Sequence, residues 1–216
     1  MEFFHKPENI LKAPVEKLDA VSGIGVKIAS QITALKKEDL AKEFAQATSL
    51  GLKIITLEDK EYPNNLKNIP DPPIILYVKG NIFDDDNFSI GIVGSRQASF
   101  YGLNNAWGFA FDLASKGVTI VSGLARGIGT SAHRGALKAG GRTLAVMGSG
   151  FSHVYPAENI ELAEEISKRG AVISEFPINT LPHSFNFPRR NRVISGLTLG
   201  VLVVEAALNS GGAHYC

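Results

Sequence analysis

Three arginines fall within four positions in Phe187-Pro-Arg-Arg-Asn-Arg192: Arg189, Arg190 and Arg192, beside an aromatic ring and Asn191. Guanidinium forks grip phosphate or carboxylate oxygens, and a neighbouring ring offers a flat face on which a base can stack. No Asp or Glu occurs between Glu175 and Glu205 to neutralise them. A solvated basic face normally carries interspersed acids, so the cluster points to an anionic partner. The competing reading is that these arginines cap helix ends or pair with acids remote in sequence.

Two further stretches carry related chemistry. Gly94-Ser95-Arg96 and Ser122-Gly123-Leu-Ala-Arg126-Gly127 combine small residues, hydroxyls and one arginine each, and Gly148-Ser149-Gly150 adds a third small-residue loop. Exposed N–H groups with an arginine make a phosphate cradle. None of these is a Walker A loop or a G-x-G-x-x-G fingerprint, so neither ATP nor NAD is expected. His133 follows the second loop. A lone histidine at a helix start is more often a cap or a packed residue than a base. No G-x-S-x-G elbow and no metal-ligand spacing appears. The residues read as built to hold an anion, with no catalytic group, cofactor or metal expected.

These residues need a scaffold. From Phe88 onward, Ser89–Val93, Val118–Val121, Thr143–Met147, Ala171–Ser174 and Leu199–Val204 are short, continuously apolar runs, as in strands buried on both faces. Helical periodicity fills 103–116, 131–139 and 158–169. Alternating strands and helices predict an α/β fold with a doubly wound, mostly parallel sheet, which binds ligands beyond the carboxyl ends of its strands. The three loops above, and Glu175-Phe-Pro177, fall at those ends.

Upstream, residues 8–47 read as short helices. Gly23-Ile-Gly25 forms a tight turn between two of them, with Ile28, Ala29 and Ile32 at helical spacing. This resembles a helix-hairpin-helix, a binder of DNA backbone, so Gly23, Gly25 and Lys27 are possible phosphate contacts; a plain packed αα-hairpin is the alternative. In 51–87, Ile54–Leu57 and Ile74–Val78 read as two strands joined by a proline-stiffened, non-helical loop. Asp84-Asp85-Asp86 reads as a solvated turn and a boundary. The expected organisation is thus a small helical domain (1–50), a Pro-rich connector (51–87) and an α/β domain (88–216).

Charge follows the same division. Residues 1–86 carry 11 basic and 14 acidic side chains, and residues 87–216 carry 11 and 7. The second part is the anion-facing part, although the whole chain is only +1. The one cysteine, Cys216, excludes a disulfide framework. The N-terminus lacks a signal-peptide h-region and no apolar run approaches a membrane span, so a cytoplasmic protein with no membrane partner is expected.

Several of these motifs occur together in one order: Gly91-Ile-Val-Gly-Ser-Arg96, Ser122-Gly-Leu-Ala-Arg-Gly-Ile128 with Ala132-His133, Tyr155-Pro-x-Glu158-Asn159, Ile173-Ser-Glu-Phe-Pro177, Phe187-Pro-Arg-Arg-Asn-Arg192 with Ile194-Ser-Gly-Leu197, and Val203-Val-Glu-Ala206. In this the chain resembles the DprA (Smf) family of DNA-processing proteins, densely over 88–212 and more thinly upstream. The resemblance implies an extended Rossmann-like domain that binds single-stranded DNA with little sequence preference. It also implies protection of incoming DNA in natural transformation, loading of RecA recombinase, and a homodimer. The residues it carries over are Arg96, Arg126, Phe187, Arg189, Arg190 and Arg192; Gly94, Ser95, Ser122, Gly123, Gly127, His133 and Asn191 complete the candidate set. Gly129 stands where the family usually has Asp. The tail Ser210-Gly-Gly-Ala-His-Tyr-Cys216 departs from the family's continuation and reads as a truncation or a frame change, with loss of sheet and dimer-contact elements. A nucleotide-processing enzyme of the phosphoribohydrolase type, or a nucleotide sensor, would use the same pocket.

Overall fold

The computed structural model describes residues 3–4, 7–35 and 37–206. The tail 207–216, with the expected truncation, lies outside the described residues. The chain forms two compact units, Met1–Gln46 and Ala47–Cys216.

In the first unit, α1 (Pro7–Leu11), α2 (Val15–Asp19) and α3 (Val26–Thr33) close over buried Ala13, Leu18 and Ala29. Ile10, Val15, Ile24 and Ile32 pack around them. Gly23 adopts φ +86 between α2 and α3, a left-handed turn that glycine enters without steric cost. Helix α4 (Lys37–Ser49) carries the chain onward.

The second unit is built on a seven-stranded sheet: β1 (Lys53–Thr56), β2 (Ile75–Gly80), β3 (Ser89–Val93), β4 (Thr119–Gly123), β5 (Thr143–Val146), β6 (Ala171–Ser174) and β7 (Gly200–Val203). Their order is β1-β2-β6-β5-β4-β3-β7. The run β6-β5-β4-β3-β7 is parallel, and β1 and β2 extend it by antiparallel pairing, with Ile55 opposite Leu76 and Val78 opposite Ile173. The stretch expected as a connector therefore folds as part of the sheet. Its loop is not wholly irregular, since α5 (Asn64–Lys67) makes one turn. Pro63 stands just before that turn, where no N–H is required, and Pro70 lies beyond it.

The central strands are apolar on both sides because both sides are covered. Ile92 and Ile120 face α6 (Phe100–Ser115) and α7 (Ile128–Lys138), packing on Ala106, Ala110, Ala132 and Ala136. Val93 and Val121 face the opposite way, onto Val193, Ile194 and Leu197 of α9 (Asn186–Leu197) and Leu66 of α5. Helix α8 (Ile160–Arg169) covers β5 and β6 through Leu162, Ala163 and Ile166. Both α6 and α7 start a turn earlier than their periodicity suggests. For α6 the cause is Ser99, whose hydroxyl accepts from Gly102 N at 3.1 Å as an N-cap.

The arginine stretch, outside the three helical segments read from periodicity, is helix α9, with Pro188 in its first turn where a missing N–H costs nothing. The triple aspartate is not uniformly solvated. Asp86 is only 4 % exposed and accepts from Arg142 Nε at 2.8 Å and Nη2 at 2.7 Å, from Thr119 Oγ1 at 2.8 Å and from Phe83 N at 2.8 Å. The Arg142 guanidinium lies 4.5 Å from the Phe83 ring centroid. This buried pair ties the start of β5 to the turn before β3.

Candidate nucleic-acid interface

The loops after β3, β4 and β5 and the start of α9 meet at the carboxyl ends of the parallel strands. There Arg96, Leu124, Ala125, Arg126, Met147, Gly148, Tyr155, Pro156, Phe187 and Arg190 line one hollow. Its centre is a stack: the Arg96 guanidinium lies 4.5 Å from the centroid of Phe187, whose other neighbour is Tyr155 at 5.9 Å and 51°. Gly148 makes the stack possible, since a Cβ there would stand 2.7 Å from Phe187 Cδ1.

The arginines divide sharply. Among the described residues, no carboxylate pairs with Arg96 or Arg189; Arg189 lies 5.8 Å from the Phe176 ring. Arg126 is exposed but forks onto Glu158, Nε to Oε1 at 2.9 Å and Nη2 to Oε2 at 2.7 Å. That hydrogen bonding holds the Glu158 carboxyl below its ordinary range. Arg192 is turned away from the hollow chemistry: it bridges Glu175 and Asp71, the latter at 3.3 Å. For this arginine the remote-acid reading wins. Burial pushes the Glu175 carboxyl up, against the pull of Arg192.

Arg190 is 3 % exposed. Its guanidinium lies against Gly123, where a Cβ would come within 2.2 Å of Nη1, and donates to the Val146 carbonyl. It forms the floor of the hollow. Beneath it, His133 is completely buried, with Nδ1 2.7 Å from Thr143 Oγ1. Burial, with the charge of Arg190 adding, drives its pKa down to about 3. His133 is therefore a neutral core residue that cannot touch a ligand, which corrects its place in the candidate set. Ser122 and Asn191 are likewise buried, and Ser122 Oγ donates to Ile92 O at 2.6 Å.

The remaining candidates shape the loops. Ser95 N donates to Glu205 O at 2.7 Å, and Ser95 O accepts from Ile128 N at 3.1 Å. Gly127, at φ +72, lies so close that a Cβ would meet Ser95 O at 2.3 Å. Gly94 packs on Ile128 and Glu205 in the same junction. These contacts fix the loop that presents Arg96. Gly23, Gly25 and Lys27 belong to the first unit, where all three are exposed.

Sequence reasoning missed Tyr155, Met147 and Leu124 as lining residues. Tyr155 was within reach, because it stands in the Tyr-Pro-x-Glu-Asn motif downstream of β5. Among the described residues no cluster of His, Cys, Asp or Glu could hold a metal ion. Nor is any helix among them long and apolar enough to cross a membrane.

Comparison with known proteins gives a consistent result. The family model described as DNA recombination-mediator protein A matches residues 53–215. Protein Smf of Escherichia coli (strain K12) is 39% identical over 201 residues, covering 90% of this chain and 53% of that protein. DNA processing protein DprA of Bacillus subtilis (strain 168) is 39% identical over 212 residues, covering 95% and 69%. The chain thus spans about half to two thirds of the length of these relatives. Among solved structures, DNA processing protein A from Streptococcus pneumoniae superposes with a TM-score of 0.81 at 34% identity, over 94% of this chain and 70% of that one. DNA processing protein A from Helicobacter pylori, described for its single-stranded DNA binding mode, gives 0.67 at 29% identity, over 76% and 74%.

Proposed function

This chain belongs to the DNA recombination-mediator protein A (DprA, Smf) family, and from that premise we propose that it binds single-stranded DNA in the hollow at the carboxyl end of its sheet. The observation that carries the reading is the open stack of Arg96 on Phe187 and Tyr155. A guanidinium without a carboxylate is a phosphate contact in waiting, and two rings at its side give bases of any identity a face to stack on. Arg189 extends the positive rim, while Arg190 supplies fixed charge from below. The two arginines already held by acids contribute less: Arg126 must exchange Glu158 for a phosphate, and Arg192 orients α9.

Reading by charge and stacking rather than by base edges makes the binding tolerant of sequence. That suits a protein that protects incoming strands in natural transformation and passes them to a RecA recombinase, and both roles are part of the proposal, as is a homodimer. The exposed Gly23, Gly25 and Lys27 of the helical hairpin are proposed as an accessory backbone contact. The chemistry of the hollow favours holding over cleavage, because the one candidate base, His133, is walled off beneath Arg190.

The test is fluorescence anisotropy of labelled oligo-dT with the full chain and its Arg96→Ala and Phe187→Ala variants, at two salt concentrations. Binding should weaken with salt by a log–log slope of about −0.7 for each phosphate neutralised. Phe187→Ala should cost roughly 1–3 kcal/mol, the worth of one stacked base, and Arg96→Ala should flatten the salt slope by about one phosphate. A folded chain that ignores oligo-dT, or folded variants that bind as tightly as the parent, would refute the assignment.

A further inference from the structure

A doubly wound sheet opens a crevice where its strand order reverses. Here that point is β3, which has β4 on one side and β7 on the other. The start of α6 at this point has the makings of a phosphate seat. The helix is 16 residues long, the positive end of its dipole favours an anion, and Arg96 stands in the loop before it.

In this chain the seat is taken. Glu205, just beyond β7, accepts from Ser99 N with both carboxylate oxygens, at 3.0 and 3.2 Å, and from Ser99 Oγ at 2.7 Å. The glycine at 102 leaves the carboxylate its space, since a Cβ there would fall 2.2 Å from Glu205 Oε2. The backbone is bent to the same end. Glu205 has φ +125, the one positive φ outside glycine among the described residues, a conformation that persists only where its surroundings enforce it. The bonds from Ser99 hold the carboxyl below its ordinary range, so it is an anion at neutral pH.

We propose that Glu205 is a specificity-determining residue: its carboxylate occupies the start of α6 in place of a phosphate, closes the switch point to free nucleotides and phosphates, and confines anionic ligands to the adjoining Arg96–Phe187–Arg190 hollow. The proposal deepens the reading of that hollow as a strand-binding site and rests on it. It explains why a fold able to seat mononucleotides would instead present a charged, aromatic hollow to a polymer.

Glu205→Gly separates the carboxylate from the backbone, because φ +125 suits glycine and the turn is kept. Glu205→Gln keeps the seat filled by a neutral side chain of the same shape. Isothermal titration of these variants of the 216-residue chain with inorganic pyrophosphate, beside a thermal melt of each, reads the effect. Glu205→Gly should bind pyrophosphate at least about tenfold more tightly than the parent, and Glu205→Gln should stay within about twofold of it. If Glu205→Gly melts early, Glu205→Ala, which removes the carboxylate and adds no backbone strain beyond that of the parent residue, takes its place. A folded Glu205→Gly or Glu205→Ala chain that gains no pyrophosphate binding overturns the proposal, as does an equal gain in Glu205→Gln. Oligo-dT binding is measured separately. A parent that ignores oligo-dT while Glu205→Gly gains pyrophosphate would refute the strand-binding reading and leave the filled seat standing.

Discussion

The sheet carries the same pair of side chains at both ends. At the amino end of the parallel strands, Arg142 lies 4.5 Å from the Phe83 ring; at the carboxyl end, Arg96 lies 4.5 Å from Phe187. The first guanidinium is closed, with Asp86 taking two of its nitrogens and the Asn81 and Arg169 carbonyls accepting at 2.9 and 2.8 Å. The second has no carboxylate among the described residues and faces a hollow. Cation and ring alone therefore do not mark a binding site. What distinguishes the two is whether the chain supplies the anion itself.

The largest test of that distinction is Arg142→Ala. It leaves Asp86 buried with only a hydroxyl and an amide as partners, and removing one member of a buried pair costs about 3 kcal/mol or more. Urea unfolding should register this, while oligo-dT affinity of the folded variant stays at the parent value. A parallel loss of affinity would mean that the two ends do not differ in kind.

A second effect lies beneath the open end. His133 titrates at about 3 in the folded chain because burial disfavours its charged form, against about 6.5 when unfolded. Between those values the unfolded chain binds the extra proton. Stability is thus intact above about pH 6.5 and is lost as pH falls towards about 3, by roughly 1 kcal/mol per unit. His133→Gln should flatten this acid limb in urea midpoints taken at about pH 7 and about pH 5. An unchanged slope would show that His133 does not remain neutral under Arg190. The smallest effect concerns Arg126, intermediate between the two stacks because its carboxylate is exposed. Glu158→Gln should tighten oligo-dT binding by no more than about twofold, since exposed pairs are weak; a large gain would place Glu158 as a gate on the hollow.

Much of the scaffold was legible before the structure. The runs around Ile92, Ile120, Leu144 and Ile173 are apolar without alternation, which only strands covered on both faces require. Arg96 and Phe187 stand out from residue type and the order of motifs, and the structure brings them together. The fate of the other arginines was not, because Arg192 answers to Asp71 and Glu175, and Arg126 to Glu158, partners brought near only by the sheet. Helix α9 was missed because Pro188 reads as a breaker unless its place in the first turn is known. Asp86 was misread because two neighbouring aspartates suggested solvent, while its partners are Thr119 on β4 and Arg142 just before β5.

The antiparallel addition of β2 to β6 bears on how the chain is made. Val78 pairs with Ile173, so at ~5–20 residues per second of synthesis the β1–β2 hairpin waits ~5–20 s for the strand that will cover its free edge. Ile54, Ile55, Leu76 and Val78 lie in that waiting hairpin, an apolar two-stranded ribbon of marginal stability by itself. Newly made chains pass through an interval in which this edge is open to other partners, and their yield depends on what attends the ribosome during it.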